Sequence, residues 1–237
     1  PKDIARVKGE LGRDSRFLLP YLLGALDAHP PADAVGQGAR AVLQGWDGSA
    51  VSDAITSTTL QAGEVIFTTW LSHALQNTFA DELGAALMPQ ASSNMLLHVL
   101  DGAGSAVPPS RDYFNGVSPR SMLAASFNEA VSALAAAQGP NPSAWTAPRG
   151  SITFSHPVLG TLAQIPLSNR STYGQIVQLK KPRPEAENIF TLGQSGHVGV
   201  GPGFSPVFDA HFFDQLALYG RFEYKPMPLY LDAELNE

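Results

Sequence analysis

The sequence predicts an α+β protein with its helices first and its strands last. Three observations lead there. Apolar residues recur at helical spacing through most of residues 1–140. After Pro142 that period gives way to apolar and polar residues in alternation. Between the two patterns stands Gly139-Pro140, a pair that stops a helix. The reading is therefore a mainly helical segment over 1–140 and a strand-rich segment over 141–237.

The helices follow in order. Ile4, Val7, Leu11, Leu18, Leu22 and Leu26 share a face, and Pro20 either ends that helix or kinks it. His29-Pro30-Pro31 is a break. Residues 39–43 read as a short helical piece, and 44–49 as a turn. A long helix is predicted over 57–87, with Leu60, Glu64, Phe67, Leu71, Leu75, Phe79 and Leu83 on a drifting face. Gly84 is placed to mark its end. A shorter helix fits 94–100, and 101–116 is a Gly/Pro/Ser-rich connection. Ser118-Pro119 reads as an N-cap with proline at the first helical position. The helix it opens carries Met122, Leu123, Phe127, Val131 and Leu134.

The strands are fewer. Residues 151–155 alternate as a strand, and 175–179 read as another. Residues 162–167 form an edge segment, since Pro166 is unsuited to a central strand. Residues 188–192 are extended, 193–205 a glycine-rich loop, and 209–219 a short helix stopped by Gly220. So few strands make a poor sheet with exposed edges, and they fit best as part of a larger sheet supplied by another segment.

Composition narrows the function classes. Apolar residues make up 44% of the 237, enough to bury a sizeable core. The formal net charge is −6, and Lys180-Lys181-Pro182-Arg183 is the main cationic cluster. That is too narrow a surface for nucleic acid, and the cluster reads as a solvated loop. With no cysteine, disulfides and thiolate chemistry are excluded. The longest apolar run, 17–26, is too short to span a bilayer, so no membrane partner is expected. The chain opens at Pro1, without Met, as a truncated or processed chain would.

One run is more telling than the rest. Asn188-Ile189-Phe190-Thr191-Leu192-Gly193-Gln194-Ser195-Gly196 is followed by His211-Phe212-Phe213-Asp214-Gln215-Leu216 and Tyr224-Lys225-Pro226-Met227-Pro228. Asn169-Arg170-Ser171-Thr172-Tyr173-Gly174-Gln175 precedes it. Together these resemble the end of the penicillin acylase (penicillin amidase) family. Looser matches run over the rest of the chain. They include Leu18-Leu19-Pro20-Tyr21-Leu22, Trp46-Asp47-Gly48, Phe79-Ala80-Asp81-Glu82-Leu83, and Trp145 followed by His156-Pro157.

The resemblance implies an N-terminal-nucleophile (Ntn) amidohydrolase, with this chain as the C-terminal part of its β chain. Its strands would then complete the layered αββα sheet of such an enzyme. Family members cut their own precursor to expose a serine, whose α-amine serves as general base through a water. An amine of pKa near 8 suits that work at neutral pH, and placing base and nucleophile on one residue secures their proximity. The nucleophile, the oxyanion asparagine and the family's calcium ligands would all lie upstream. No catalytic or metal residue is therefore assigned here, and calcium is an expectation for the intact enzyme alone. The implied partners are the upstream remainder of the same precursor and a small-molecule amide. The implied compartment is the periplasm or the outside of a bacterium.

Five residues are candidates for support behind such a site, or for purely structural work. Gln194 and Ser195 form a polar turn after a strand-like segment, read chiefly as a structural turn. Arg170 and Tyr173 flank a strand and are placed to brace that turn. His156, before Pro157, reads as a hydrogen-bonded structural histidine rather than an acid or base. Two rival constellations are set aside. Ser205, Asp209 and His211 lack a nucleophile elbow, and Asp209, His211 and Asp214 do not share one helix face as metal ligands would. The alternative to an enzyme is a non-catalytic binding or structural module with an acylase-like tail.

Overall fold

The computed structural model describes residues 13–49, 58–166, 173–221 and 223–229. They fall into two compact units, one within 13–49 and 60–147, the other within 58–59, 148–166, 173–221 and 223–229.

The first unit is helical. It holds α1 (Arg13–Ala28), α2 (Ala34–Gly45), α3 (Ala62–Leu87), α4 (Ser93–Asp101) and α5 (Pro119–Gln138). Helix α1 runs through Pro20 rather than ending there. A proline at that depth costs about 3 kcal/mol, because the Arg16 carbonyl loses its N–H donor. The exposed Pro20 ring sits opposite Leu18, Leu22, Ala25 and Leu26, all but fully buried. At roughly 1.5–3 kcal/mol per buried leucine, packing outweighs the broken bond.

Helix α2 begins earlier than the apolar pattern shows. Asp33 adopts extended backbone and its carboxylate accepts from the Gly36 N–H at 2.8 Å, a side-chain N-cap. Helix α3 starts at Ala62, five residues after the position its periodicity suggested, and residues 51–57 lie outside the described set. Gly84 does interrupt it, with φ of 60° and ψ of 173°, so the last turn before Leu87 has a new direction. Ser118 caps α5 as read, accepting from the Ser121 N–H at 3.1 Å.

The core of this unit gathers the apolar faces of all five helices around Trp70, Phe79, Phe127 and Trp145. Each buried indole N–H finds a carbonyl. Trp70 Nε1 donates to Leu123 O at 3.1 Å, and Trp145 Nε1 to Gly139 O at 2.9 Å. A buried indole left unpaired would forfeit much of what its ring area contributes.

The second unit holds the strands, all antiparallel. A hairpin pairs β1 (Ser151–His156) with β2 (Gly160–Pro166). A three-stranded sheet orders β3 (Tyr173–Gln178), β4 (Glu185–Phe190) and, after α6 (Leu216–Gly220), β7 (Lys225–Met227). A second hairpin pairs β5 (Val198–Val200) with β6 (Pro206–Phe208). Pro166 closes β2 opposite Ser151, at the end of the strand where proline is tolerated. Ile165, Ile189, Leu192, Phe212 and Tyr219 form the core.

Two expectations need correction. The 193–205 stretch is not all loop, because Val198–Val200 pairs with Pro206–Phe208. The helix expected over 209–219 shrinks to α6. Asp209 Oδ1 accepts from the His211 N–H at 2.8 Å, a local side-chain bond that competes with helical hydrogen bonding.

Candidate functional site

Four of the five candidate residues lie among the described residues of the strand-rich unit, and the structure brings two of them into one network. Gln194 and Ser195 occupy the turn that follows β4. Arg170 lies outside the described residues. Tyr173 pairs with Phe190 across β3 and β4, their rings 4.9 Å apart between centroids, two residues before Leu192. His156 is elsewhere. It ends β1, and its Nδ1 accepts from the N–H groups of Val158 and Leu159, both at 3.2 Å, so it caps the β1–β2 turn. A ring nitrogen receiving two backbone donors is occupied in holding that turn.

The turn after β4 is built by close approach. Leu192 is buried with φ of 70°, an uncommon conformation for a leucine. Gly193 follows, and its backbone presses on the segment that precedes α6. A Cβ at Gly193 would fall against the His211 carbonyl oxygen and within 2.5 Å of the Phe212 carbonyl oxygen. Glycine is thus required by space, since no L side chain fits between two backbones so close.

Hydrogen bonds then fasten the two segments together. The Ser195 N–H donates to His211 O at 3.1 Å, and the Gln215 N–H to Leu192 O at 3.1 Å. Asp214 Oδ1 accepts from the Gln194 N–H at 2.9 Å. Ser195 Oγ donates to Asp209 Oδ2 at 2.6 Å and accepts from the His197 N–H at 3.0 Å. Gln215, fully buried, accepts from the Phe190 N–H at 3.0 Å and donates to Gln194 Oε1 at 3.1 Å. Lys225 Nζ reaches Asp214 Oδ2 at 3.3 Å.

The two carboxylates are tuned by this arrangement. The Ser195 hydroxyl and the His211 N–H hold the Asp209 carboxyl below its ordinary range. For Asp214, burial pushes upward, but the Gln194 N–H and the Lys225 ammonium outweigh it and the net direction is down. Carboxylates with a lowered folded pKa stabilise the fold above their unfolded pKa, and that contribution is lost as pH falls through the folded value. Amide exchange at Ser195 and His211 is therefore expected to accelerate as pH drops below about 4. Asp209→Asn should flatten this dependence, measured as exchange rates corrected for intrinsic chemistry. An unchanged pH profile in that variant would remove Asp209 from the account.

Chemically this network acts as a lock between the turn and the 209–216 segment. The Ser195 hydroxyl donates its hydrogen bond to the Asp209 carboxylate, and the imidazole of His211 faces Asp214 at 3.4 Å. The carboxylate that receives the hydroxyl hydrogen has its pKa lowered, which makes it a weak base for activating a serine. Ser205 is bonded to Pro202 O at 2.9 Å, so the Ser205–Asp209–His211 set does not assemble. Among the described residues no three His, Asp or Glu side chains converge as metal ligands. Sequence reasoning gave Asp209, Asp214 and Gln215 no part in this turn. The signal for Asp214 and Gln215 was their place in the His-x-x-Asp-Gln-Leu run that follows the Gly-Gln-Ser-Gly run, and Asp209 lies before that run.

The helical unit, the antiparallel strands and the locked turn make up a chain with the acylase fold. The thermostable penicillin G acylase from Alcaligenes faecalis matches it with a TM-score of 0.76 at 20% identity. That match covers 100% of this chain and 47% of the acylase chain, so this chain spans about half the length of that one. The sequence model of penicillin amidase matches residues 12–234, and the chain belongs to the penicillin amidase family. Comparison with curated proteins gives no match.

Proposed function

We propose that this chain is the C-terminal part of the β chain of a penicillin-acylase-like amidohydrolase. The family match over residues 12–234 carries the reading. The enzyme would cleave a linear amide between an acyl group and an amine. Its nucleophile would be an N-terminal serine exposed by self-cleavage in a preceding part of the same polypeptide. Candidate substrates are β-lactam side chains, acyl-homoserine lactones and other N-acyl compounds.

In this reading the present residues position rather than react. The turn lock fixes where β4 ends and where the 209–216 segment begins, giving a rigid support for groups brought by the remainder of the precursor. Export to the periplasm or beyond is part of the same proposal. Among the described residues no helix is long and apolar enough to cross a membrane.

The test is to express the natural reading frame that contains this chain and assay it on chromogenic acyl anilides. The longer protein should self-process and release the aniline. Residues 1–237 alone should release none. A frame without a serine, threonine or cysteine at a processing junction, or a correctly folded long form without amidase activity, would overturn the proposal. The binding-module reading would then stand.

A further inference from the structure

The β5–β6 hairpin presents apolar side chains to water. At its tip Phe204 is 70% exposed, and below it Val200, at 61%, and Val207, at 53%, lie on opposite faces of the ribbon. Phe204 also holds φ of 59°, next to Gly203 at 67°. A bulky side chain in that region is strained, and such strain persists where surrounding structure enforces it.

The loop is not loose. The Gly201 N–H donates to Ser205 O at 2.8 Å, and Ser205 Oγ donates to Pro202 O at 2.9 Å. A Cβ at Gly201 would lie 2.9 Å from both Ser205 Oγ and Val207 Cγ2, so the chain is tightly folded there. Below the tip, Phe208 packs on Phe212 and Phe213 with centroids 4.5 and 4.9 Å away. The hairpin is thus anchored at its base and presents an aromatic ring at its end. Among the described residues β5 and β6 form a two-stranded sheet with no further strand on either edge. A ribbon of two strands is marginal in water and gains stability when covered.

We infer that the tip of the β5–β6 hairpin, centred on Phe204, is a docking element for the remainder of the same polypeptide, inserting its ring into an apolar pocket there. This rests on the proposed reading of the chain as part of a longer acylase. The matched acylase chain is more than twice as long as the region this chain covers, which leaves a body of comparable size to receive the tip. A single exposed aromatic on a preorganised loop, flanked by two valines, has the character of an interface anchor. The three side chains are uncharged and leave little to recognise a polar ligand.

The experiment uses the full natural polypeptide with p-benzoylphenylalanine placed at Phe204. Irradiation should give an adduct that mass spectrometry maps to a peptide of the same polypeptide outside these residues. An adduct within residues 1–237, an adduct to a second copy, or no adduct above that of a control at exposed Val158 would overturn the inference. Phe204→Gly supplies an independent sign. If the ring is docked, the variant lowers the melting temperature of the full polypeptide. If the ring faces water, glycine relieves the positive φ and raises it. Failure of the amidase reading is recognised separately, from the reading frame and the anilide assay.

Discussion

Gly193→Ala is expected to destabilise the strand-rich unit by roughly 4 kcal/mol or more, in the class of substitutions that open a fold locally. The added methyl meets backbone rather than a flexible side chain. The His211 and Phe212 carbonyl oxygens stand where it would go. Neither can withdraw alone, because His211 O accepts from Ser195 N–H and the Phe212 side chain is buried in the core. Accommodation therefore means separating the 192–195 turn from the 209–216 segment. That breaks the bonds from Gln194, Ser195 and Gln215 together. Hydrogen exchange read segment by segment should show lost protection at Phe190, Ser195 and Gln215, with the helical unit unaffected. Gly196→Ala is the matched control. Nothing lies within 4 Å of its Cβ position, so its effect should stay within about 0.5 kcal/mol. Equal effects at the two glycines would mean that backbone freedom, not close approach, explains Gly193.

Where the sequence was legible, local physics decided the outcome. Helix α5 is bounded by Ser118-Pro119 and Gly139, each acting on backbone within one helical turn of itself, and its ends could be read in advance. Gly84 could be read as a break for the same reason. Pro20 could not, because what keeps α1 continuous is the burial of Leu18, Leu22 and Leu26 against other helices. The start of α2 was missed because the apolar pattern was picked up only at Ala39, past the Asp33 cap and the first helical turn. The β5–β6 hairpin was hidden by glycines interleaved among Val198, Val200 and Val207, which weaken the strand signal without preventing pairing.

The turn shows the same division. Its polar character was visible in Gln194 and Ser195, but its partners were not. Asp209, Asp214 and Gln215 stand 14 to 23 residues away along the chain from the groups they bind in it. No local period encodes a pairing across that distance. His156 differs, since its hydrogen-bond partners are two and three residues on, within the reach of a local reading.

Gln215→Leu should cost about 3 kcal/mol. The side chain is fully buried and joins two places at once, the end of β4 through Phe190 N–H and the turn through Gln194 Oε1. Leucine fills a similar volume, so the loss is chiefly of hydrogen bonds. It leaves a backbone donor and an amide oxygen without their partner, and the desolvation penalty of each then falls due. Gln215→Glu separates this account from simple packing. The glutamate keeps an oxygen for Phe190 N–H. When protonated it can also donate to Gln194 Oε1, much as the amide does. When ionised it sets a buried negative charge against that oxygen, and burial of this kind raises a carboxyl pKa. A raised folded pKa means stability that is fully present below the unfolded value of about 4.3 and lost as pH rises through the folded one. Urea unfolding of Gln215→Glu should therefore approach the parent protein near pH 4 and fall well below it at pH 7. Gln215→Leu should show no such recovery. If both variants lose the same stability at both pH values, the amide is filling space and the lock does not depend on its two hydrogen bonds.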